Sequence, residues 1–193
     1  MANHVRTTVR FEKLNDAGKA KLQELYSRIR TEDKGYEWFS DMWVSATCGV
    51  DYETSSTYDW MIENVGPKWC YFEDRNEDQF TTTSAWSPPE TGLIWLFEQI
   101  AQADPDFIAS VFYEDEMPNF FGVHVYNAEG MVDGSEWESE EIEELMKEAV
   151  PELAELNEET DSEKYWEIWS DHIWDVVSEK QYEVFKDVME TLN

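Results

Sequence analysis

The first third of the chain alternates between strand-like and helix-like spacing of its hydrophobic residues. Residues 5–11 place apolar or β-branched side chains at every second position, which predicts a strand with one buried face. Residues 22–29 place apolar side chains at helical spacing, and Asn15 or Asp16 can cap the helix that contains them. Residues 36–50 are aromatic and β-prone, and they predict either a strand or an irregular packed segment.

The middle of the chain predicts a short helix, a hairpin, a longer helix and a second hairpin. The short helix starts after Ser55 and Ser56 and ends at Gly66-Pro67. Ser87 is expected to cap the longer helix, with prolines in its first turn. The four strands are expected at 68–73, 80–86, 107–114 and 120–127. Together with the first strand and helix, this order predicts an α+β sandwich with helices on one face of an antiparallel sheet.

The composition changes after Gly130. Residues 133–163 contain 14 acidic residues and one basic residue, Lys147, yet they keep apolar positions at near-helical spacing. Pro151 predicts a break, and residues 160–163 match a capping box before a Trp-rich helix. We therefore expect an α+β domain over 1–130, with an insert at 35–59, and an acidic helical extension over 131–193. The tryptophans of this extension are expected to dock on the sandwich or on a second copy of the chain.

The net charge of −30 changes how this pattern is interpreted. The chain has 44 acidic and 14 basic residues, but it is also 41% hydrophobic and has ten tryptophans, so it can build a core. Residues 1–34 hold eight basic and five acidic residues, and residues 35–193 hold six basic and 39 acidic ones. The acidity is therefore concentrated after the first strand and helix.

Several classes of protein are disfavoured by these features. No apolar run approaches the ~20 residues that cross a bilayer, an anionic lipid surface would repel the chain, and residues 1–6 lack the apolar stretch of a signal peptide. We expect a soluble cytoplasmic protein. Direct binding of nucleic acid is disfavoured because it requires Lys and Arg against phosphates. Cys48 and Cys70 fit no metal or redox pattern and are expected to be reduced thiols.

No motif predicts catalysis, a metal or a cofactor. The three histidines share no ligand spacing, and His124 in a predicted strand is expected to be structural. The chain lacks a Gly-rich phosphate loop and a Gly-x-Ser-x-Gly motif, and the acidic turn at 114–116 lacks EF-hand spacing. We therefore expect a protein that is not an enzyme and needs no cofactor.

One stretch resembles a known family. Trp86-Ser87-Pro88-Pro89 opens a helix after a Thr-rich strand, and Gly66-Pro67-Lys68-Trp69 lies upstream. These segments resemble the ferredoxin-like domain of the YubB/Api92 family of phages and plasmids, over roughly residues 60–127. The run Thr83-Ser84-Ala85-Trp86 departs slightly from the family pattern. The resemblance implies a ferredoxin-like sheet and a mobile-element origin, and it implies no reaction. The residues themselves favour a structural motif, with the tryptophan in the core.

The charge is sufficient for mimicry of DNA. B-DNA has one charge per ~1.7 Å of axis, so 30 charges correspond to about 50 Å of duplex. A compact chain of this length spans on the order of 40–50 Å. We expect a phage- or mobile-element-encoded DNA mimic that binds a basic host protein of a restriction, CRISPR or transcription complex. The carboxylates expected to face it are Glu136, Glu138, Glu140, Glu141, Glu143, Glu144, Glu148, Glu152 and Glu155, with a second patch of Glu73, Asp74, Glu77, Asp78, Glu114, Asp115 and Glu116.

Three alternatives stay open at this point. The acidic surface could serve only solubility or adaptation to salt. The Trp-rich C-terminal helices could pair with another subunit, for example in a homodimer. An enzyme or small-ligand binder could use the region of Trp69 and Trp86.

Overall fold

The computed structural model describes residues 3–31 and 35–192. They form six strands, seven α-helices and one 3-10 helix at Phe39–Trp43. The strands are β1 (His4–Lys13), β2 (Cys70–Arg75), β3 (Gln79–Ala85), β4 (Ile108–Asp115), β5 (Phe120–Asn127) and β6 (Gly130–Glu138). The α-helices are α1 (Asp16–Tyr26), α2 (Tyr52–Ser55), α3 (Tyr58–Asn64), α4 (Glu90–Ala101), α5 (Ser139–Ala149), α6 (Pro151–Glu155) and α7 (Ser162–Thr191).

All six strands form one antiparallel sheet in the order β2-β3-β1-β4-β5-β6. This confirms the α+β class and the five strands that the pattern predicted. β1 lies inside the sheet, where Val5, Val9 and Phe11 are buried on one face. The alternating residues of β1 therefore point to opposite sides of the sheet.

The first face of the sheet is covered by α1, α4 and the 3-10 helix. Asn15 caps α1 as predicted, because its side chain accepts from the amides of Ala17 and Gly18. Leu22 and Leu25 of α1 join Leu96 and Ile100 of α4 in the main core.

The segment at 36–50 is an irregular packed segment built around the 3-10 helix. Its Trp43 stacks on Trp95 of α4 with ring centroids 3.9 Å apart. Phe39 packs against Phe72 and Phe80 of the sheet. Aromatic packing, rather than strand pairing, therefore fixes this segment.

The opposite face of the sheet is covered over β4–β6 by α5 and α7, with α6 packed against these two helices. The prediction of helices on one face concerned the first domain, whose α1 and α4 do lie on one face, and the extension covers part of the other. Phe121 of β5 shares a second core with Ile142, Met146, Ile173 and Val177. The helical extension is thus docked on the sheet, and the apolar positions of β4 and β5 alternate between two covered faces.

β6 was not predicted. The predicted domain boundary at 130/131 falls at its start, so the C-terminal extension also contributes a strand to the sheet. β6 is mostly exposed and contains two glycines and three carboxylates, so its sequence lacks the β-branched, alternating pattern of a strand.

Two helix starts differ from the prediction. Ser87 does not cap α4, because Pro89 takes the N-cap position. At α7, Asp161 is the N-cap and makes no side-chain cap hydrogen bond, so the capping box expected at 160–163 does not form. The capping box of the extension lies instead between Glu138 and Glu141 at the start of α5.

The two edges of the sheet are unlike each other. On the β2 edge, Tyr71 forms a bridge with Trp38, and the Phe72 amide donates to the Glu37 carbonyl at 2.9 Å. On the other edge, β6 makes ladder hydrogen bonds with β5 alone within the described residues.

Candidate partner-binding surface

An acidic cleft of about 770 Å³ lies where β6 turns into α5. Five carboxylates line it, and no Lys or Arg is among its described lining residues. Four of the five were predicted as partner-binding residues from the sequence, and the fifth, at the start of α4, was not. The five are Glu90, Glu136, Glu138, Glu140 and Glu141.

Hydrogen bonds hold two of these carboxylates in place. The hydroxyl of Tyr113, on β4, donates to Glu136 across the intervening Gly122 of β5. Burial, and then the hydrogen bond to Glu136, raise the pKa of Tyr113, so the phenol stays protonated and donates. Glu141 accepts from the Glu138 amide at 3.1 Å. The cleft therefore presents carboxylates whose positions are fixed by the fold.

Trp86 stands at the rim of this cleft rather than in the core. Its side chain is 51% exposed and its backbone has φ +67°, a conformation that few non-glycine residues adopt. The ammonium of Lys68 lies 4.0 Å from the centroid of its ring. The expectation of a buried tryptophan at this position is wrong. Trp69 stacks on Tyr71 and lines a different cavity, so the two tryptophans do not form one pocket.

The remaining predicted carboxylates of α5 and α6 are on the surface. Two of them are neutralised locally, because Glu143 pairs with Lys147 and Glu152 pairs with Lys164 at 2.6 Å. These hydrogen bonds raise the pKa of both lysines. The other three, Glu144, Glu148 and Glu155, are exposed and make no ion pair with any described residue.

A regular row of carboxylates follows α7, and its members were not among the predicted site residues. Every fourth residue from 163 to 187 is acidic, and one more acidic residue follows at 190. All eight side chains are exposed, and six of them make no ion pair with any described residue. The α7 row consists of Glu163, Glu167, Asp171, Asp175, Glu179, Glu183, Asp187 and Glu190.

The α7 row lies opposite the buried face of its helix. Two residues along an α-helix correspond to about 200° of rotation. Four members of the row precede a buried residue by two positions, so each points away from the sheet. These pairs are Glu163 with Tyr165, Asp171 with Ile173, Asp175 with Val177, and Glu179 with Gln181. The period of four in the sequence could have revealed this row.

The members of the predicted second patch lie at two separate places in the structure, and one of them is buried. Glu77 and Asp78 are exposed at the β2–β3 turn beside Asp74, and Glu77 lies 3.7 Å from Lys19. Asp115 is fully buried, where its Oδ2 accepts from the side-chain Nδ2 groups of Asn3 and Asn119. It is therefore part of the fold at the β4–β5 turn and not a surface carboxylate.

Glu73 and Glu114 belong to a groove on the outer face of the sheet. This groove, of about 930 Å³, runs between β1 and α7 and contains both signs of charge. Arg6 lies 3.4 Å from Glu73 and 3.8 Å from Glu114, while Glu116 lies 2.9 Å from His4. Burial raises the pKa of Glu114 and the neighbouring Arg6 opposes that rise. Glu73, Glu114 and Glu116 are therefore engaged in local pairs with Arg6 and His4.

The basic residues of the N-terminal segment are mostly paired within the chain. Five of them lie within 4 Å of a carboxylate, and Arg10 lies over the ring of Phe112 at 5.2 Å. Lys34 lies outside the described residues. The segment therefore presents no continuous cationic surface among its described residues. The five paired residues are Arg6, Lys19, Lys21, Arg28 and Arg30.

Among the described residues, no group of three or more His, Cys, Asp or Glu is placed to hold a metal ion. Cys48 is exposed and Cys70 is buried, both as free thiols. His124 lies on β5 with its ring 5.4 Å from that of Tyr113, and burial lowers its pKa. Within the same residues, no helix is both long and apolar enough to cross a bilayer.

Comparison with known proteins gives no relative: no family model matches the chain, and neither a curated protein nor a solved structure is significantly similar to it.

Proposed function

We propose that this chain is an acidic binding protein that imitates the phosphates of DNA and blocks a basic, nucleic-acid-binding host protein. It acts by occupying that protein's binding site, without catalysis, cofactor or direct contact with nucleic acid. The observation that most supports the proposal is the α7 row, because its carboxylates are regularly spaced, exposed and held on one rigid helix.

The spacing of the α7 row can be compared with that of DNA. A step of four residues advances about 6 Å along the helix and about 40° around it in the right-handed sense. A strand of B-DNA advances about 3.4 Å and about 34–36° per nucleotide. The row therefore rotates by nearly the same angle per charge as a DNA strand does. Its charges are more widely spaced along the axis, at about 6 Å instead of about 3.4 Å. The exposed carboxylates of α5 and the cleft add to this density.

The placement of charge also favours recognition over solubility alone. Solubility requires net charge, but not carboxylates at a fixed period opposite a buried face. The row keeps six unpaired members although three lysines lie on the same helix. A basic partner that follows the turn of the row would therefore meet mostly unpaired carboxylates, which increases the rate of encounter.

The proposal includes a ferredoxin-like unit of mobile-element origin, which we place at β1–β4 with α1 and α4. The strand order β2-β3-β1-β4, with helices between β1 and β2 and between β3 and β4, supports this assignment. The resemblance to the YubB/Api92 family covers the second half of the same unit. In this view the partner is met in the host cytoplasm.

A competition assay tests the proposal. Affinity capture from bacterial lysate at 0.05 M and 0.5 M NaCl yields basic partners, and each is then titrated against fluorescent duplex DNA. We expect the protein to displace the duplex, with an affinity that falls steeply with salt. Neutralising Glu167, Asp171, Asp175 and Glu179 to the amides is expected to weaken displacement by about 4-fold or more, since four exposed pairs at ~0.2–1 kcal/mol each sum to ~0.8–4 kcal/mol.

A matched control separates the row from net charge. Neutralising Glu53, Asp59, Glu63 and Glu98 removes the same number of exposed charges from α2, α3 and α4. This control is expected to stay within about 2-fold of the unmodified protein. Equal losses in the two variants, or a partner that binds protein and duplex together, would contradict mimicry.

Assembly through α7 is a second candidate function, favoured by three exposed aromatic residues on that helix. Trp166, Trp174 and Tyr182 recur every eight residues, each directly before a member of the α7 row. Self-association through aromatic contacts is expected to persist at high salt, whereas binding of a basic partner through DNA mimicry is expected to be lost. Deleting 160–193 cannot test this candidate, because α7 also completes the second core.

A further inference from the structure

We propose that β6 receives an extended basic segment of the partner as a seventh strand of the sheet. This inference rests on the proposed function in one respect, that the partner is basic. It adds the form in which the partner is bound and the element that binds it.

The open edge of the sheet is the first argument. The β2 edge is covered at Tyr71 and Phe72 by the backbone of residues 37–38. β6 extends over nine residues, about 30 Å, and within the described chain only β5 pairs with it. An unpaired edge of this length is a template for another strand.

The direction of the amides of β6 is the second argument. The Gly134 amide donates to the side chain of Asp133 at 2.8 Å, and the Glu138 amide donates to Glu141. Neither amide therefore donates a hydrogen bond to β5. Because hydrogen-bonding groups of a strand alternate in direction, the amide of Glu136, midway between them, also points outward. Outside the β5–β6 ladder, this amide makes no backbone hydrogen bond to any described residue.

The charge beside this edge identifies the occupant. Residues 127–146 contain eight carboxylates and no Lys or Arg. A second copy of β6 would bring like charges together, which destabilises cross-strand pairs. An extended segment with Lys or Arg at alternate positions would instead direct its cations to Glu136 and Glu138 in the acidic cleft, while its backbone pairs with β6.

Peptide binding followed by NMR tests the inference. The probe is acetyl-(Lys-Val)₄-amide, and its matched control is acetyl-(Lys-Val-Lys-Pro)₂-amide, which has the same charge but cannot continue a ladder. We expect the first peptide to bind at least 10-fold more tightly. In its complex, hydrogen exchange at the Glu136 amide should slow at least 10-fold.

Two variants probe the same edge from the protein side. Glu136→Pro removes the outward amide at a position where an edge strand tolerates proline. Glu136→Gln loses the same charge but keeps the amide and an acceptor for Tyr113. We expect the glutamine variant to bind the Lys-Val peptide at least 5-fold more tightly than the proline variant. The peptide pair still decides the question if Glu136→Pro does not fold.

The outcomes separate this inference from the proposed function. Equal binding of the two peptides with unchanged exchange at Glu136 shows attraction by charge alone, which overturns the seventh strand and leaves mimicry standing. Binding of neither peptide also overturns it, while the competition assay judges mimicry independently. Protection of β6 by self-association without any peptide would show that a second copy is the occupant, and would overturn the inference too.

Discussion

At the scale of single residues, Tyr113, Gly122 and Glu136 form one row across three neighbouring strands. The ring of Tyr113 crosses over Gly122 to reach Glu136, so a side chain at 122 would occupy the place of the ring. A Cβ built there lies 2.9 Å from Cε1 of Tyr113 and closer still to its hydroxyl end. A glycine is thus required at 122 because the Tyr113 ring lies so close to the backbone there. This close approach lets Tyr113 reach from the core to Glu136 in the acidic cleft.

Gly122→Ala is therefore expected to destabilise the protein by about 1–3 kcal/mol, because the buried ring of Tyr113 must move in a packed core. Urea unfolding measures the change. Ser135→Ala on β6 is the control and should stay within about 0.5 kcal/mol of the unmodified protein. A loss below that value in Gly122→Ala would show that the ring shifts freely.

At the scale of elements, α7 is the helix that joins the second core to the proposed surface. One polar side chain on its buried face contacts the sheet directly. Nε2 of Gln181 donates to the carbonyl oxygens of Tyr113 at 3.1 Å and of Gly122 at 2.8 Å. This amide fixes the register of α7 over β4 and β5, in addition to the apolar contacts of Ile173 and Val177.

Gln181→Met is expected to lower the free energy of unfolding by about 1–2 kcal/mol, because it keeps the volume but removes two hydrogen bonds from a buried donor. Exchange of amides near the middle of α7 should rise with it. Gln23→Met, at an exposed position on α1, is the matched control. If the two variants have equal stability, apolar packing alone positions α7.

The sequence predicted the elements whose residues bury a face, and it missed those that pairing or local geometry decides. β1, β4 and β5 alternate apolar residues, and α1 has both a cap and a stripe. β6 became a strand through pairing with β5, which its own residues do not signal. Trp86 was expected in the core because of its type, yet a left-handed backbone conformation turns its ring outward.

The candidate partner-binding surface was only partly predicted, because burial, ion pairing and neighbours in space are not signalled by residue type alone. Density of acidic residues identified 136–159 but could not show that Asp115 is buried or that Glu143 and Glu152 have lysine partners. Glu90 joins the cleft only because α4 starts beside β6 in space. The α7 row was visible in the sequence, but it required a search for periodicity among charges rather than among apolar residues.

At the scale of the whole molecule, most basic side chains are used in local pairs, so the net charge of −30 is carried by surface carboxylates. Such self-repulsion destabilises a compact state. It is screened when the Debye length falls from ~30 Å at 0.01 M salt to ~8 Å at 0.15 M.

The melting temperature is therefore expected to rise by several degrees, about 3 °C or more, between 0.01 M and 0.15 M NaCl at pH 7. Calorimetry or circular dichroism measures it. The four-site variant of the α7 row should rise less, because fewer charges repel. A melting temperature that falls with salt would mean that local ion pairs outweigh the repulsion.

The unlike edges of the sheet also limit the size of any assembly built on it. A sheet that is open at both edges can add strands without end, as fibres do. Here the backbone of residues 37–38 covers the β2 edge at Tyr71 and Phe72, so strand addition is confined to the β6 edge. Copies of this protein therefore cannot join into a chain through both edges of the sheet, and a partner segment bound at β6 would not make the protein itself polymerise.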